Sequence, residues 1–100
     1  MVVRYQAALK ASAPDAEPGF ISLEGYLVGR AIVAVLEKID GEPTRKAFVE
    51  AVQTSGGFDL GGFKLTYSPS NNHGSSEVFL TEIKADGSFK PVASLAKAKF

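Results

Sequence analysis

"FISLEGYLVGRAIVAVLEKID", residues 20 to 40, decides how the rest of the chain is read. Ser22 stands where a helix N-cap is expected. Glu24 would then fall in the first turn, where the helix dipole favours negative charge. Glu37 and Lys38 mark a wet end, and Asp40-Gly41 supplies a stop. Between Gly25 and Leu36 the one charged residue is Arg30. Tyr26, Leu27, Val28, Ile32, Val33, Val35 and Leu36 point in nearly every direction around the axis. A surface helix carries one apolar stripe, whereas a helix apolar all round is buried in something larger. Gly25 and Gly29, four apart, make a notch on one face that lets another backbone come close. A membrane span needs about 20 apolar residues, and this run is shorter, so it reads as a buried helix.

The neighbouring segments are a thin cover for it. Val3, Ala7, Ala8 and Ala11, with Leu9 beside them, predict a helix over residues 2–11, ending before Pro14. "APDAEPG", residues 13–19, is a loop, since two prolines and a glycine leave little else. "EPTRKAFVEAVQ" predicts a third helix with Thr44 as cap and Phe48, Ala51 and Val52 as its apolar stripe, closed by Gly56-Gly57. The period then changes. Phe63, Leu65 and Tyr67 alternate with Lys64, Thr66 and Ser68, the pattern of a half-buried strand. Val78 to Ile83 reads as a second strand. Asp86-Gly87 is a tight-turn signal, after which Phe89 to Val92 returns as a third. The predicted class is α/β: three helices followed by a small antiparallel strand and hairpin segment. A chain of this length buries a limited fraction of its surface, so the all-round apolar helix implies part of a larger protein or a chain that oligomerises.

Bulk properties narrow the function classes. The 100 residues suit one small domain, and 11 basic residues balance 11 acidic ones. No basic stripe suggests nucleic acid as a partner. Lys90, Lys97 and Lys99 are too sparse for a polybasic membrane anchor. With no cysteine, disulfides and Cys-ligated metal centres are excluded. The start, Met1-Val2-Val3-Arg4-Tyr5-Gln6, lacks the charged head and apolar core of a signal peptide.

The chemistry-bearing residues give no constellation. His73 is the lone histidine, near Ser68, Ser70, Ser75 and Ser76. All share one polar stretch with no Gly-x-Ser-x-Gly elbow, and a triad needs its members brought together from a rigid scaffold. Turn-forming Asn71, Asn72 and Gly74 make His73 a solvated loop residue. Acidic residues are scattered without metal-ligand spacing, so neither a metal nor another cofactor is expected. "GGFDLGG", residues 56–62, follows a helix and precedes a strand, the reverse of a phosphate-binding loop. Phe20 reads two ways. It is a hydrophobic staple ahead of the helix cap, or an aromatic wall of a ligand pocket beside a helix N-terminus.

Three pieces in fixed order carry a resemblance: "PGFISLEGYLVGRAIVAVLEKI", "PTRKAFVEAVQ" and "FDLGGFKLTYSPSNNHGSSEVFLTEIKADGSFKPV". Together they resemble the C-terminal part of the type I periplasmic solute-binding proteins, the branched-chain amino-acid receptors of ABC importers. The resemblance runs over almost the whole chain, Val3 to Val92. It implies a fragment of a two-lobed fold and a role in binding without catalysis. Residues 1–76 would be the C-terminal portion of lobe 1, and residues 77–100 the final crossover strand and hairpin of lobe 2. Phe20 would face an amino acid or similar small polar ligand, with Ser22 and Glu24 as weaker candidates. Ser68, Pro69, Ser76 and Glu77 would belong to the last hinge crossing. The implied partner is a membrane ABC permease, and the implied location of the parent is periplasmic or extracytoplasmic. Two other uses stay open: a self-associating assembly module, or a ligand-sensing receptor domain.

Overall fold

A computed structural model describes residues 1–93. Its order is α1 (Val2–Ser12), α2 (Phe20–Lys38), α3 (Arg45–Thr54), β1 (Phe58–Asp59), β2 (Lys64–Leu65), β3 (Thr81–Ile83) and β4 (Phe89–Pro91). β1 pairs with β2, and β3 with β4, each pair antiparallel and forming its own two-stranded sheet. The expected class holds: three helices, then short antiparallel strands. Lys97 and Lys99, and the last part of the segment 77–100, lie outside the described residues.

α2 is the hub, packing against α1, α3 and β1. The core beneath it is small. Val35, Phe58 and Leu60 are buried, and Leu27, Ala31, Ala34, Phe48, Ala51, Val52, Phe63, Leu65 and Tyr67 pack around them. The predicted α3 stripe is thus the face turned to the core. The Thr44 side chain accepts the Ala47 N–H at 3.1 Å, capping α3 as expected.

α1 differs from expectation. Its buried residue is Tyr5, while Val3, Ala7, Ala8 and Ala11 are exposed. The reason is at the start of α2. The Tyr5 ring lies 5.7 Å from that of Tyr26. The Tyr5 hydroxyl accepts the Gly19 N–H at 3.0 Å and shares a hydrogen bond with the Ser22 hydroxyl. A large ring with a polar tip outcompetes alanines for a place against the helix.

The same contact moves the start of α2. Gly19, not Ser22, is the N-cap, and no side chain caps it. Ser22 sits inside the first turn, engaged with Tyr5, and Glu24 falls in the second turn. Phe20 is the first helical residue, so it does not hold the staple position ahead of the cap.

The strands are shorter than predicted. Of Phe63–Tyr67 only Lys64–Leu65 pairs, with Phe58–Asp59, a partner the sequence pattern did not reveal. Of Val78–Ile83 only Thr81–Ile83 pairs, and the third strand is Phe89–Pro91. The Asp86-Gly87 turn is where it was expected: Lys84 donates to the Ser88 carbonyl at 2.8 Å, Gly87 donates to the Lys84 carbonyl at 2.9 Å, and Gly87 takes φ +83°.

The second expectation, an underfilled cover, also holds. The accessible surface is 7844 Å², against about 5,500 Å² for a compact chain of this mass. The radius of gyration is 16.8 Å, against about 13 Å for 100 residues. Val28, Ile32, Val33 and Leu36 of α2 and Val49 of α3 remain exposed. No heavy atom comes within 4 Å of where a Cβ would stand on Gly25 or Gly29, so that notch is open.

Candidate functional site

Two sequence periods meet to make a cleft of about 810 Å³. One wall is a helical face: Phe20, Leu23, Glu24 and Leu27, spaced i, i+3, i+4, i+7 along α2. The other is an extended face: Glu77, Phe79 and Thr81, alternate residues of the segment entering β3, with Phe63 beside them. Met1 and Val2 complete the lining. This size lies within the usual range of small-ligand pockets, and an apolar lining with a few polar groups is their usual composition.

Aromatic rings close the cleft from one body to the other. Phe20 meets Phe89 of β4 edge-on, with centroids 4.9 Å apart and planes at 63°. Phe63 meets Phe79 at 6.4 Å and 45°. Phe20 and Phe79 nonetheless remain 59% and 72% exposed, so their faces are available to a ligand. No helix packs closely against the β3–β4 hairpin; Phe20–Phe89 bridges α2 to it, and Phe63–Phe79 bridges the β1–β2 turn to the segment before β3.

The predicted site residues separate into groups. Phe20 and Glu24 share the cleft wall. Ser22 turns the other way, toward Tyr5. Ser68 and Pro69 lie in a closed turn, where Ser68 and Asn71 exchange backbone hydrogen bonds of 3.0 and 3.1 Å. Ser76 and Glu77 lie in the irregular extended stretch leading to β3, and the Glu77 N–H donates to the Ser75 hydroxyl at 3.1 Å. Phe63, Phe79 and Thr81 were not singled out as lining residues. The alternation of Glu77, Phe79 and Thr81 was a usable signal, but which face it turned to α2 depended on the chain path.

His73 lines an adjoining, polar groove of about 600 Å³ with Lys64, Thr66, Asn71, Ser75, Ser76 and Glu77, the last of which it shares with the cleft. Its side chain is exposed, and its backbone N–H donates to Asn71 Oδ1 at 3.0 Å, an Asx turn. Thr66 donates to the Gly74 carbonyl at 2.8 Å, so the loop folds back on the end of the β2 strand. A Cβ on Gly74 would come within 2.5 Å of the Tyr67 ring, so a larger residue there would displace the end of that side chain. This is turn architecture, as the sequence indicated.

Two carboxylates have resolved shifts, and both lie in turns. Asp59 is held below its ordinary value first by the Gly62 N–H, then by the Gly61 N–H and the charge of Lys64. Asp86 is held below its ordinary value by the Ser88 hydroxyl and backbone N–H. Among the described residues no group of His, Cys, Asp and Glu could hold a metal ion, and no helix is long and apolar enough to cross a membrane.

Comparison with known proteins gives two results. A family model described as periplasmic binding protein matches residues 2–88. A crystal structure of a possible leucine/isoleucine/valine-binding protein from Rhodopirellula baltica SH 1 superposes with a TM-score of 0.83 at 36% sequence identity, covering 92% of this chain. The chain spans 25% of that protein's length. No curated protein matches.

Proposed function

The chain belongs to the periplasmic binding protein family, and from that premise we propose that it is the C-terminal part of an extracytoplasmic receptor that captures amino acids or similar small polar solutes for an ABC importer. The observation that carries this reading is the 36% identity over 92% of the chain to a protein described as a possible leucine/isoleucine/valine-binding protein.

In this reading residues 1–76 contribute to one lobe and residues 77–100 enter the other. Phe20 and Glu24 face the solute across the cleft. Ser22 holds the helix start against Tyr5 and so positions Phe20. Ser76 and Glu77 lie in the passage between lobes, and the Ser68-Pro69 turn anchors the lobe-1 side of that passage. Solute contacts made on both walls favour the closed form, which a membrane permease then recognises. Binding is the whole of the chemistry.

Isothermal titration of a two-lobed protein carrying this sequence, against leucine, isoleucine, valine, small amides and small carboxylates, tests the proposal. Binding of at least one class is expected, and silence toward all of them refutes it. The 100-residue chain alone should bind weaker than about micromolar, since it supplies part of one cleft.

A second reading is self-association of this chain. It rests on exposed Val28, Ile32, Val33, Leu36 and Val49. Sedimentation decides between them: a folded monomer across a wide concentration range removes the self-association reading.

A further inference from the structure

Tyr5 is the buried residue of α1, 4% exposed, and its hydroxyl is directed wholly at the start of α2. The Gly19 N–H donates to that hydroxyl at 3.0 Å, and the Tyr5 and Ser22 hydroxyls share a hydrogen bond. Whichever of the two donates in that bond, the remaining proton points to the Gly19 carbonyl, 3.3 Å from each oxygen. The three residues thus close a ring of hydrogen bonds around the helix start. Gly19 is the N-cap of α2 and has no side chain to offer, and the first turn carries no acidic residue. The first N–H groups of a helix lack intrahelical partners, so a terminus without a cap frays. α3 is capped by its own Thr44. α2 is held instead from 14 residues upstream, on another helix.

We infer that the Tyr5 hydroxyl acts as the missing cap of α2, and that through it α1 sets where Phe20 stands. Phe20 is the first residue of the turn that this cap holds. Its ring meets Phe89 of the hairpin edge-on at 4.9 Å, so the order of that turn passes on to β4. Tyr5 lies outside the cleft lining and is a positioning residue, acting through Gly19 and Ser22. The hydroxyl is separable from the ring. The ring packs against Tyr26 with centroids 5.7 Å apart, a contact that phenylalanine would keep. The coupling from α1 to Phe20 and Phe89 stands on this geometry alone; its consequence for a solute at Phe20 rests on the solute-binding reading.

Nuclear magnetic resonance of the labelled 100-residue chain tests the inference through two readings: the ¹³Cα shifts of residues 20–23, which report helix, and the cross-peaks between the Phe20 and Phe89 rings. Tyr5→Phe should raise the ratio of frayed to helical first turn about fivefold, the usual effect of losing a cap. The shifts then move toward coil values and the ring cross-peaks weaken. Gly19→Asp added to Tyr5→Phe should restore both, because it supplies a local cap. The position accepts it: a Cβ there meets nothing within 4 Å, and a φ of −158° suits any residue. Thr44→Ala is the control for a general loss of stability. It removes the α3 cap and should leave both readings unchanged. If Tyr5→Phe does not fold, Ser22→Ala carries the same test, since it opens the ring of bonds from the α2 side and should move the same resonances by less. Unchanged shifts and cross-peaks in the folded variant overturn the inference. So does an equal response to Thr44→Ala, or no recovery with Gly19→Asp. No solute takes part, so such a failure leaves the solute-binding reading to its own titration.

Discussion

Leu60→Ala is the sharpest test of how this chain holds together. Leu60 is 2% exposed and packs in the cluster of Val35 and Phe58. Its backbone N–H donates to the Phe63 carbonyl at 2.8 Å, which fixes the Gly61-Gly62 turn that places the leucine under α2. Removing a fully buried leucine side chain costs about 3 kcal/mol, within a range of roughly 2.7 to 5, because transfer and cavity terms add. That lowers the folded-to-unfolded ratio by about 150-fold. Typical stability for this length is about 5–15 kcal/mol. The small core and excess surface place this chain at the lower end, so the substitution removes half or more of it. With a urea m-value of about 1–3 kcal/mol/M, the midpoint should fall by roughly 1–3 M. The assay is urea unfolding followed by far-UV circular dichroism at matched protein concentration. Val33→Ala is the control. Val33 is 51% exposed, and such surface changes stay within about 0.5 kcal/mol. A Leu60→Ala midpoint no lower than that of Val33→Ala would refute the assignment of the core.

Other outcomes follow from single contacts. Thr44→Ala, which loses the bond to the Ala47 N–H, should cost about 1 kcal/mol in the same urea assay. Asp59 has a folded-state value below its ordinary one, through the Gly62 and Gly61 N–H groups and Lys64. Its contribution is therefore present above the unfolded value and lost as pH falls through the folded one, below about pH 4. Asp59→Asn should flatten that part of the acid dependence of the urea midpoint, and an unchanged acid limb would contradict the loop geometry. His73→Ala should leave the melting curve and any solute affinity of the two-lobed protein unchanged, because the imidazole is exposed on a turn. A large loss in either would reopen a chemical role for it.

What the sequence disclosed was whatever its local chemistry determines. The Thr44 cap and the Asp86-Gly87 turn depend on residues within a few positions, and both were readable. The α3 stripe was readable because Phe48, Ala51 and Val52 share one helical face. The start of α2 was not. Ser22 has the right chemistry for a cap, but its hydroxyl is taken by Tyr5, 17 residues away, and no local pattern announces such a partner. Strand lengths failed for a related reason. Alternation marks residues that suit a strand, but a ladder needs a second strand. Among the described residues, β4 ends at Pro91, and beyond it Val92 donates to the Leu80 carbonyl at 3.0 Å. Val78 and Phe79 have side chains fit for a sheet that this hairpin does not extend to reach. Half of the cleft was legible, through Phe20 and Glu24. The other wall required knowing which face of the 77–81 segment turns toward α2.

Two ring pairs bridge the walls: Phe20–Phe89 from α2 to the hairpin, and Phe63–Phe79 from the β1–β2 turn to the segment before β3. Each such pair contributes about 0.5–1.5 kcal/mol beyond area burial, so Phe20–Phe89 and Phe63–Phe79 together add about 1–3 kcal/mol to that burial. That is two to five times thermal energy. That increment is of the same size as one or two new contacts on a single wall. The relation between the two walls therefore rests in part on phenylalanine side chains, three of which also line the cleft.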